Sequence, residues 1–438
     1  MLGPVRAETL RDEATELLQE LVRLDTVNPP GNETAAAELL RDYLAESGVE
    51  GELLAREPDR ANLVARIPGT GGGKRLLLVG HTDTVLADPA EWTVDPWSGE
   101  LRDGCVWGRG ALDMKSQVAA NAVALARLAR EGFRPAGDLV FAATADEEVG
   151  DADVGLSWLC REHPEAVRAE YSVTEGGGDR ALVAGRPVYL CAVAEKASAP
   201  FRLRVRGRSG HASMPGIADN ALVKAARLVE RLGGHRPERR ILPETHGFLT
   251  ALFGRVPGPE ELDELASGLD EPLAGLVEPM LGVSVSPTMI EASRKRNVIP
   301  GTCEVVCDCR LLPGQSRAEA EEELRRCLGD GDYELEWIER VGGSRSSSAT
   351  PLFEAITDWV AREEPGAAVL PVILPGFTDS HFLRETFGTI AYGFFPLRTM
   401  SSTLASRLVH SADERIEVSD LELGTRFVYE LARAVGEG

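Results

Sequence analysis

Leu10, Ala14, Leu17, Leu18, Leu21 and Val22 recur every three to four positions, the spacing of an amphipathic helix. Asn28-Pro29-Pro30-Gly31-Asn32 breaks that pattern as a loop. Glu33 to Ser47 resumes it as a second helix, stopped at Gly48. Short apolar runs then alternate with helical spacing. Asn62 to Ile67, Arg75 to Val79 and Asp138 to Ala143 predict strands, and Ser116 to Arg130, closed by Gly132, predicts a helix. Alternation of this kind implies an α/β fold with a largely parallel sheet covered by helices.

The pattern changes near Lys196. Phe201-Arg202-Leu203-Arg204-Val205-Arg206 alternates apolar and basic residues, as a strand with one solvated face does. A helix from Ala221 to Leu232 follows, then strands from about Val283 to Ala292 and from Cys303 to Leu311. A helix from Arg317 to Leu328 precedes a strand from Tyr333 to Glu339. Strand–helix–strand–strand–helix–strand is the order of a ferredoxin-like α+β sandwich. Gly342-Gly343-Ser344-Arg345-Ser346-Ser347-Ser348 reads as a linker returning to the first unit. The expected division is therefore 1–195 with 345–438 as one domain and 196–344 as a second, inserted one. Arg236 to Met280 fits neither pattern and reads as an insertion.

A chain of 438 residues is long enough for two such domains, and 43% hydrophobic with only 5% aromatic residues suits Ala/Leu/Val packing. The net charge of −23 argues against nucleic-acid or anionic-membrane partners, which need clustered positive charge. No apolar run approaches a bilayer span, and the first residues lack an apolar stretch of signal-peptide length, so a soluble cytoplasmic protein is expected. The seven cysteines include no C-x-x-C pair. Cys303, Cys307 and Cys309 share one face of their strand and read as reduced core residues, not as a zinc knot. Gly69-Thr70-Gly71-Gly72-Gly73-Lys74 imitates a phosphate loop. It precedes a strand instead of following one and lacks the Ser or Thr after the lysine, so it reads as a flexible turn.

The chemistry gathers where predicted strands end. Arg75 to Thr84 closes a buried strand in His81-Thr82-Asp83, with His81 and Asp83 on the same side. Asp113 falls just before a helix. Ala145-Asp146-Glu147-Glu148 ends another strand in three acids, and Glu175 ends a short one before Gly176-Gly177-Gly178. His410 supplies a second imidazole. Singly, each has a plain structural reading: a helix cap, a solvated turn, a hydrogen-bonded loop residue. Together, several acids at one sheet edge would repel one another without a cation. Two histidines and three carboxylates match the ligand set of a dinuclear zinc site, in which one carboxylate bridges ions about 3.5–4 Å apart and another stays free as a base.

These segments resemble the family of acetylornithine deacetylase, succinyl-diaminopimelate desuccinylase, aminoacylase and glutamate carboxypeptidase. The resemblance rests on Gly80-His81-Thr82-Asp83-Thr84-Val85, on Gly108-Arg109-Gly110 through Asp113-Met114-Lys115, and on Asp146-Glu147-Glu148-Val149-Gly150. It continues through Gly207-Arg208-Ser209-Gly210-His211-Ala212-Ser213, Arg296-Asn297-Val298-Ile299-Pro300 and Thr378-Asp379-Ser380-His381-Phe382-Leu383-Arg384 to His410. Nearly the whole chain is covered, in the family's order.

The resemblance implies a zinc-exopeptidase-like catalytic domain with a ferredoxin-like lid that also dimerises. It implies two divalent ions, zinc first and cobalt or manganese as alternatives. His81 and Glu175 would hold one ion, Glu148 and His410 the other, with Asp113 bridging. Glu147 would be the general base, and Asp83 would orient the His81 ring. His211 would reach the partner subunit's active site and steady the oxyanion, while Asn297 and Arg310 would meet the substrate's carbonyl and carboxylate. Arg310 as a plain surface cation is the alternative. The implied substrate is a small molecule, a dipeptide or an N-acyl amino acid, cleaved at an amide beside a carboxylate-bearing residue. An N-acyl-amino-acid deacylase and an inactive binding paralogue are the competing readings. One departure stands out: many relatives carry Arg where this chain has His381, so the substrate carboxylate would fall to Arg384 or to the Gly376-Phe377-Thr378 backbone.

Overall fold

The computed structural model describes residues 9–150, 152–183, 185–269 and 271–437. Its larger sheet has nine strands. Eight run in the spatial order Gly51–Ala55, Ala61–Ile67, Leu139–Thr144, Leu76–His81, Tyr171–Thr174, Ile390–Gly393, Arg186–Glu195 and Ala368–Leu374, and Arg180–Val183 pairs off this path with Arg186–Glu195. The four central strands, from Leu139–Thr144 to Ile390–Gly393, are mutually parallel. Their carboxyl ends therefore lie along one edge, where ligands of open α/β sheets collect.

Side-chain alternation explains the layers. Leu77, Val79, Val140 and Ala142 point to one face, against Leu156 and Leu159 of the helix Leu156–Glu162. Leu76, Leu78, Phe141 and Ala143 point to the other, towards Val118, Ala122 and Leu125 of the helix Lys115–Arg130. That helix is rich in alanine and buried almost throughout, because the helices Leu10–Val22 and Val418–Gly436 pack over it. The expected first helix has the range the periodicity implies, and the Thr9 side chain caps it by accepting from the Asp12 N–H.

The smaller sheet places Tyr333–Trp337, Phe201–Arg206 and Thr302–Leu311 side by side, with Ser284–Glu291 on the far side of Thr302–Leu311. This is the ferredoxin-like arrangement, covered by the helices Ala221–Gly233 and Arg317–Leu328. Cys303, Cys307 and Cys309 are buried in its core as free thiols.

Two sequence readings need revision. The segment 342–348 is more than a linker: Val341–Gly342 pairs with Ala197–Ser198, and Ser344 and Ser346 are buried. The stretch 236–280 forms the helices Pro243–Phe253, Pro259–Ala266 and Glu271–Val277, and its Phe248, Leu249, Leu252, Leu262 and Val277 join the core of the larger sheet. Pro243–Phe253 lies against the strand Ala368–Leu374, and Glu271–Val277 against the helix Ser402–Leu408. The insertion is therefore a helical layer on the larger sheet.

The chain passes between the two sheets at Glu195-Lys196 and again at Ser344-Arg345. The Glu195 N–H donates to the Ser344 carbonyl (3.1 Å), and the Ser344 hydroxyl donates to the Glu195 carboxylate (2.9 Å). The other Glu195 oxygen accepts from the Thr378 N–H and hydroxyl, both at 3.1 Å. Lys196 is fully buried and donates to the Pro279 and Gly282 carbonyls and the Ser284 hydroxyl; burial pulls its ammonium down to about 7.

Candidate metal centre

Adjacency of three parallel strands gathers the first ligand candidates. His81 ends its strand opposite Thr144 in register, and Leu78 lies opposite Val173, so Glu147, Glu148 and Glu175 follow at the same edge. Asp146 adopts the left-handed conformation (φ 62°), turning the chain so that the next two acids leave the sheet. Asp113 comes from the loop before the helix Lys115–Arg130, and His410 (φ 60°) from the loop after Ser402–Leu408.

Asp113 stands between the two imidazoles. Its Oδ1 lies 3.2 Å from His81 Nε2 and its Oδ2 lies 3.2 Å from His410 Nε2. Glu175 Oε2 lies 3.8 Å from His81 Nε2, and Glu148 Oε2 lies 3.1 Å from His410 Nε2. Two ligand groups result, His81–Asp113–Glu175 and Asp113–Glu148–His410, each with donor atoms within 4.8 Å of one another and both containing Asp113. Glu147 belongs to neither, but its Oε2 lies 3.9 Å from His81 Nε2. Imidazole nitrogen with carboxylate oxygen is the donor set of zinc and its neighbours, so the residues fit a pair of such ions.

The electrostatics favour cations. Among the described residues, only histidine rings come within ion-pair distance of Asp113, Glu147, Glu148 and Glu175. Burial and the Glu175 charge hold the Glu147 carboxyl well above its ordinary range. Burial, reinforced by Asp113, pushes Glu175 up to about 7. Burial opposes a charged His81, but Glu175, Asp113 and Asp83 outweigh it and raise the imidazole well above its usual value. Hydrogen bonds to Asp113 and Glu148 lift His410 to about 10. Protons thus hold together, in the ion-free chain, the charges that bound cations would neutralise.

Asp83 meets the His81 ring, as expected of a group that orients it, and also does a second job. The atom at His81 Nδ1 is the Asp83 main-chain oxygen, at 2.9 Å, while the nearer carboxylate oxygen is 3.5 Å away. The carboxylate also accepts the Glu147 N–H (3.2 Å), the Glu148 N–H (3.1 Å) and the Asn28 amide (3.0 Å). Glu414 acts in the same way on the other side. Fully buried, it accepts from the Leu112 N–H (2.8 Å) and the Asp113 N–H (2.9 Å) through one oxygen, and from Gly110 N–H and Arg109 through the other. Sequence reading had passed over Glu414; its only signal was an acid four residues beyond His410. It had also passed over Asp379, which accepts from the Thr144 hydroxyl at 2.9 Å and is pushed by burial, Asp83 and Glu175 to about 7.

Three expected site residues lie elsewhere, on the smaller sheet and its loops. His211 is exposed in the short strand Gly210–His211, and its Nδ1 accepts from the Ser213 N–H (3.2 Å), leaving Nε2 as the protonated nitrogen. Asn297 is exposed beside it, its carbonyl accepting from the Ala212 N–H. Arg310 makes its two-pronged contact with Asp308 of its own strand, at 3.0 and 2.9 Å, so that fork is engaged within the chain. Arg384 does not substitute for a site arginine: it is buried and donates to Ser344, Ser346 and the Ala391 carbonyl, 3.6 Å from Glu195. His381 Nδ1 is buried without a partner, and burial lowers that imidazole.

Comparison with known proteins places this arrangement. Residues 77–434 match the model of peptidase family M20/M25/M40. The chain belongs to that family. It is 29% identical over 420 residues to a succinyl-diaminopimelate desuccinylase of Cereibacter sphaeroides (strain KD131 / KCTC 12085), covering 93% of this chain and 94% of that one. In structure it resembles an M20 family metallo-carboxypeptidase from Sulfolobus solfataricus, with a TM-score of 0.74, 19% identity and coverage of 98% and 100%. Human carnosine dipeptidase 1 follows with a TM-score of 0.70, 17% identity and coverage of 98% and 97%. As an M20 family member the chain is a hydrolase of amide C–N bonds, and among its described residues no helix is long and apolar enough to cross a membrane.

Proposed function

We propose that the chain is a zinc-dependent exopeptidase or dipeptidase that cleaves an amide beside a carboxylate-bearing residue. The observation that carries this reading is the position of Asp113, one oxygen 3.2 Å from each imidazole of two otherwise separate ligand groups. His81 and Glu175 would hold one ion, Glu148 and His410 the other, and Asp113 both. When bound, such ions would supply Lewis acidity to the scissile carbonyl and lower the pKa of the attacking water. Glu147, outside both ligand groups but 3.9 Å from His81, would take the proton of the attacking water and return it to the leaving nitrogen. Asp83 and Glu414 fix the backbone from which these side chains project.

Residues 1–195 and 345–438 form the catalytic unit in this reading and 196–344 supply the lid, except that the helices within 236–280 pack on the catalytic unit. The lid carries His211, whose free Nε2–H is placed to donate to a developing oxyanion in a partner subunit, with Asn297 beside it. A homodimer through the lid is supported by its open edge strand Ser284–Glu291, where Met289 is 67% and Ile290 53% exposed. Buried reduced cysteines suit a cytoplasmic setting. A second reading, deacylation of an N-acyl amino acid by the same chemistry, is favoured by the name of the sequence relative.

The test is Glu147→Ala. Turnover should vanish while elemental analysis still finds about two metal ions per chain; normal turnover would overturn the assignment. A panel of dipeptides against N-acyl amino acids separates the two readings.

A further inference from the structure

Beside the centre lies a cavity of about 230 Å³ that includes Asp113 and Glu175 in its wall. Apolar side chains such as Phe395 and Leu397 make up much of the remainder, and the polar Gln117, Asp179 and Ser406 also line it. Neither Gln117 nor Asp179 is used by the centre. Gln117 is 2% exposed, yet its Nε2 has no hydrogen-bond partner. The Asp179 carboxylate meets no side-chain donor and no cation among the described residues. The adjacent cation, Arg180, is turned to Glu364 at 2.6–3.1 Å.

Asp179 is held rigidly. Its carbonyl accepts from the Leu190 N–H (3.1 Å), and the preceding Gly178 carbonyl accepts from the Leu397 N–H (3.0 Å). Gly178 sits at φ 102° with the Phe395 carbonyl oxygen 1.9 Å from where a Cβ would be, so only glycine allows this approach. A fixed carboxylate without a counter-ion, half-buried in the wall of a partly open and largely apolar pocket, is placed to pair with an incoming cation. Burial pushes this carboxyl to about 6, which leaves it mostly ionised at neutral pH.

We propose that this cavity receives one substituent of the scissile amide and selects an aliphatic chain ending in an ammonium group, with Asp179 as its counter-ion. The proposal deepens the hydrolase reading, resting on Asp113 and Glu175 as metal ligands next to the reacting bond. A lysine-like side chain, four methylenes and an ammonium, fits a space equal to about seven waters at ~30 Å³ each. Its stem would lie along Phe395 and Leu397.

The experiment compares lysine with norleucine at each position of alanine-containing dipeptides, using the full zinc-loaded chain. At one position the lysine substrate should show at least about tenfold higher kcat/KM, the scale of one charge-assisted contact. Asp179→Asn should bring that ratio close to one. A wild-type ratio near one at both positions, or a ratio kept by Asp179→Asn, overturns the proposal. Calorimetry adds a readout that needs no turnover: free lysine should bind the zinc-loaded chain about fivefold or more tighter than norleucine, and Asp179→Asn should erase the difference. If no dipeptide is cleaved, the peptidase reading fails in favour of deacylation, and calorimetry still decides the pocket. Should Asp179→Asn not fold, the wild-type ratios decide alone.

Discussion

The Asp83 carboxylate accepts the main-chain N–H of Glu148 at 3.1 Å, and that of Glu147 at 3.2 Å through its other oxygen. Two acids that diverge towards different tasks are thus steadied by a third beneath them. Asp83→Asn keeps the shape but turns one acceptor into a donor facing an N–H. Activity and zinc affinity should each fall about 10–100-fold, as they do when groups supporting metal ligands are changed. Steady-state kinetics with a competing chelator checks both; unchanged values would show that the backbone keeps its place without the carboxylate.

Glu414 is the counterpart beneath Asp113, and it also pairs with buried Arg109 at 2.5 Å. Glu414→Ala strands that arginine and frees three main-chain N–H groups. Stability should drop by about 3–5 kcal/mol, measured by urea unfolding of the metal-free protein. A loss below about 1 kcal/mol would mean that water replaces the carboxylate.

Stability should depend on pH in opposite ways with and without metal. Glu175 rises from 4.5 to about 7 on folding, so the metal-free native state holds a proton that the unfolded chain releases in that window. His410 rises from 6.5 to about 10 with the same sign. Raising the pH from 5.5 to 8 should therefore lower the melting temperature of the chelator-treated protein. Zinc needs the same groups deprotonated, so the zinc-loaded protein should gain stability relative to the metal-free form over that range. Calorimetric scans at both pH values check this.

His211→Ala should cripple activity, and so should Glu147→Ala. If His211 serves the partner subunit, mixing and re-forming the two inactive dimers should restore about a quarter of wild-type activity, because half of the dimers are hybrids with one intact site each. No recovery in verified hybrids would place His211 outside the neighbouring site.

The local part of this architecture was legible. Strand ends at His81 and Thr144, and the helix from Lys115, announced themselves by periodicity and by abrupt changes from apolar to charged residues. The ligand candidates could be named because each sits at such an end. What sequence could not show were pairings set by the fold alone. Glu414 acts on Asp113 from 301 positions away, and Asp379 reaches Thr144 from 235. The same holds for Phe248 and Leu252, which lie in a stretch that reads from sequence only as an insertion and whose receiving core the fold alone supplies. Arg310 is paired for a local reason that sequence spacing did contain: an aspartate two residues earlier, on the same face of its strand.

One carboxylate near the centre of the chain has a mechanical meaning. Both passages between the sheets meet at Glu195, and its second oxygen carries Thr378, the residue before Asp379. A swing of the smaller sheet would have to turn about this contact as well as about the 236–280 helices held by the larger core, and the Thr378-Asp379 segment rides on the first of the two. Opening and closing of the cleft could not then be independent of how tightly the floor of the centre is set: the axle and the latch share one side chain.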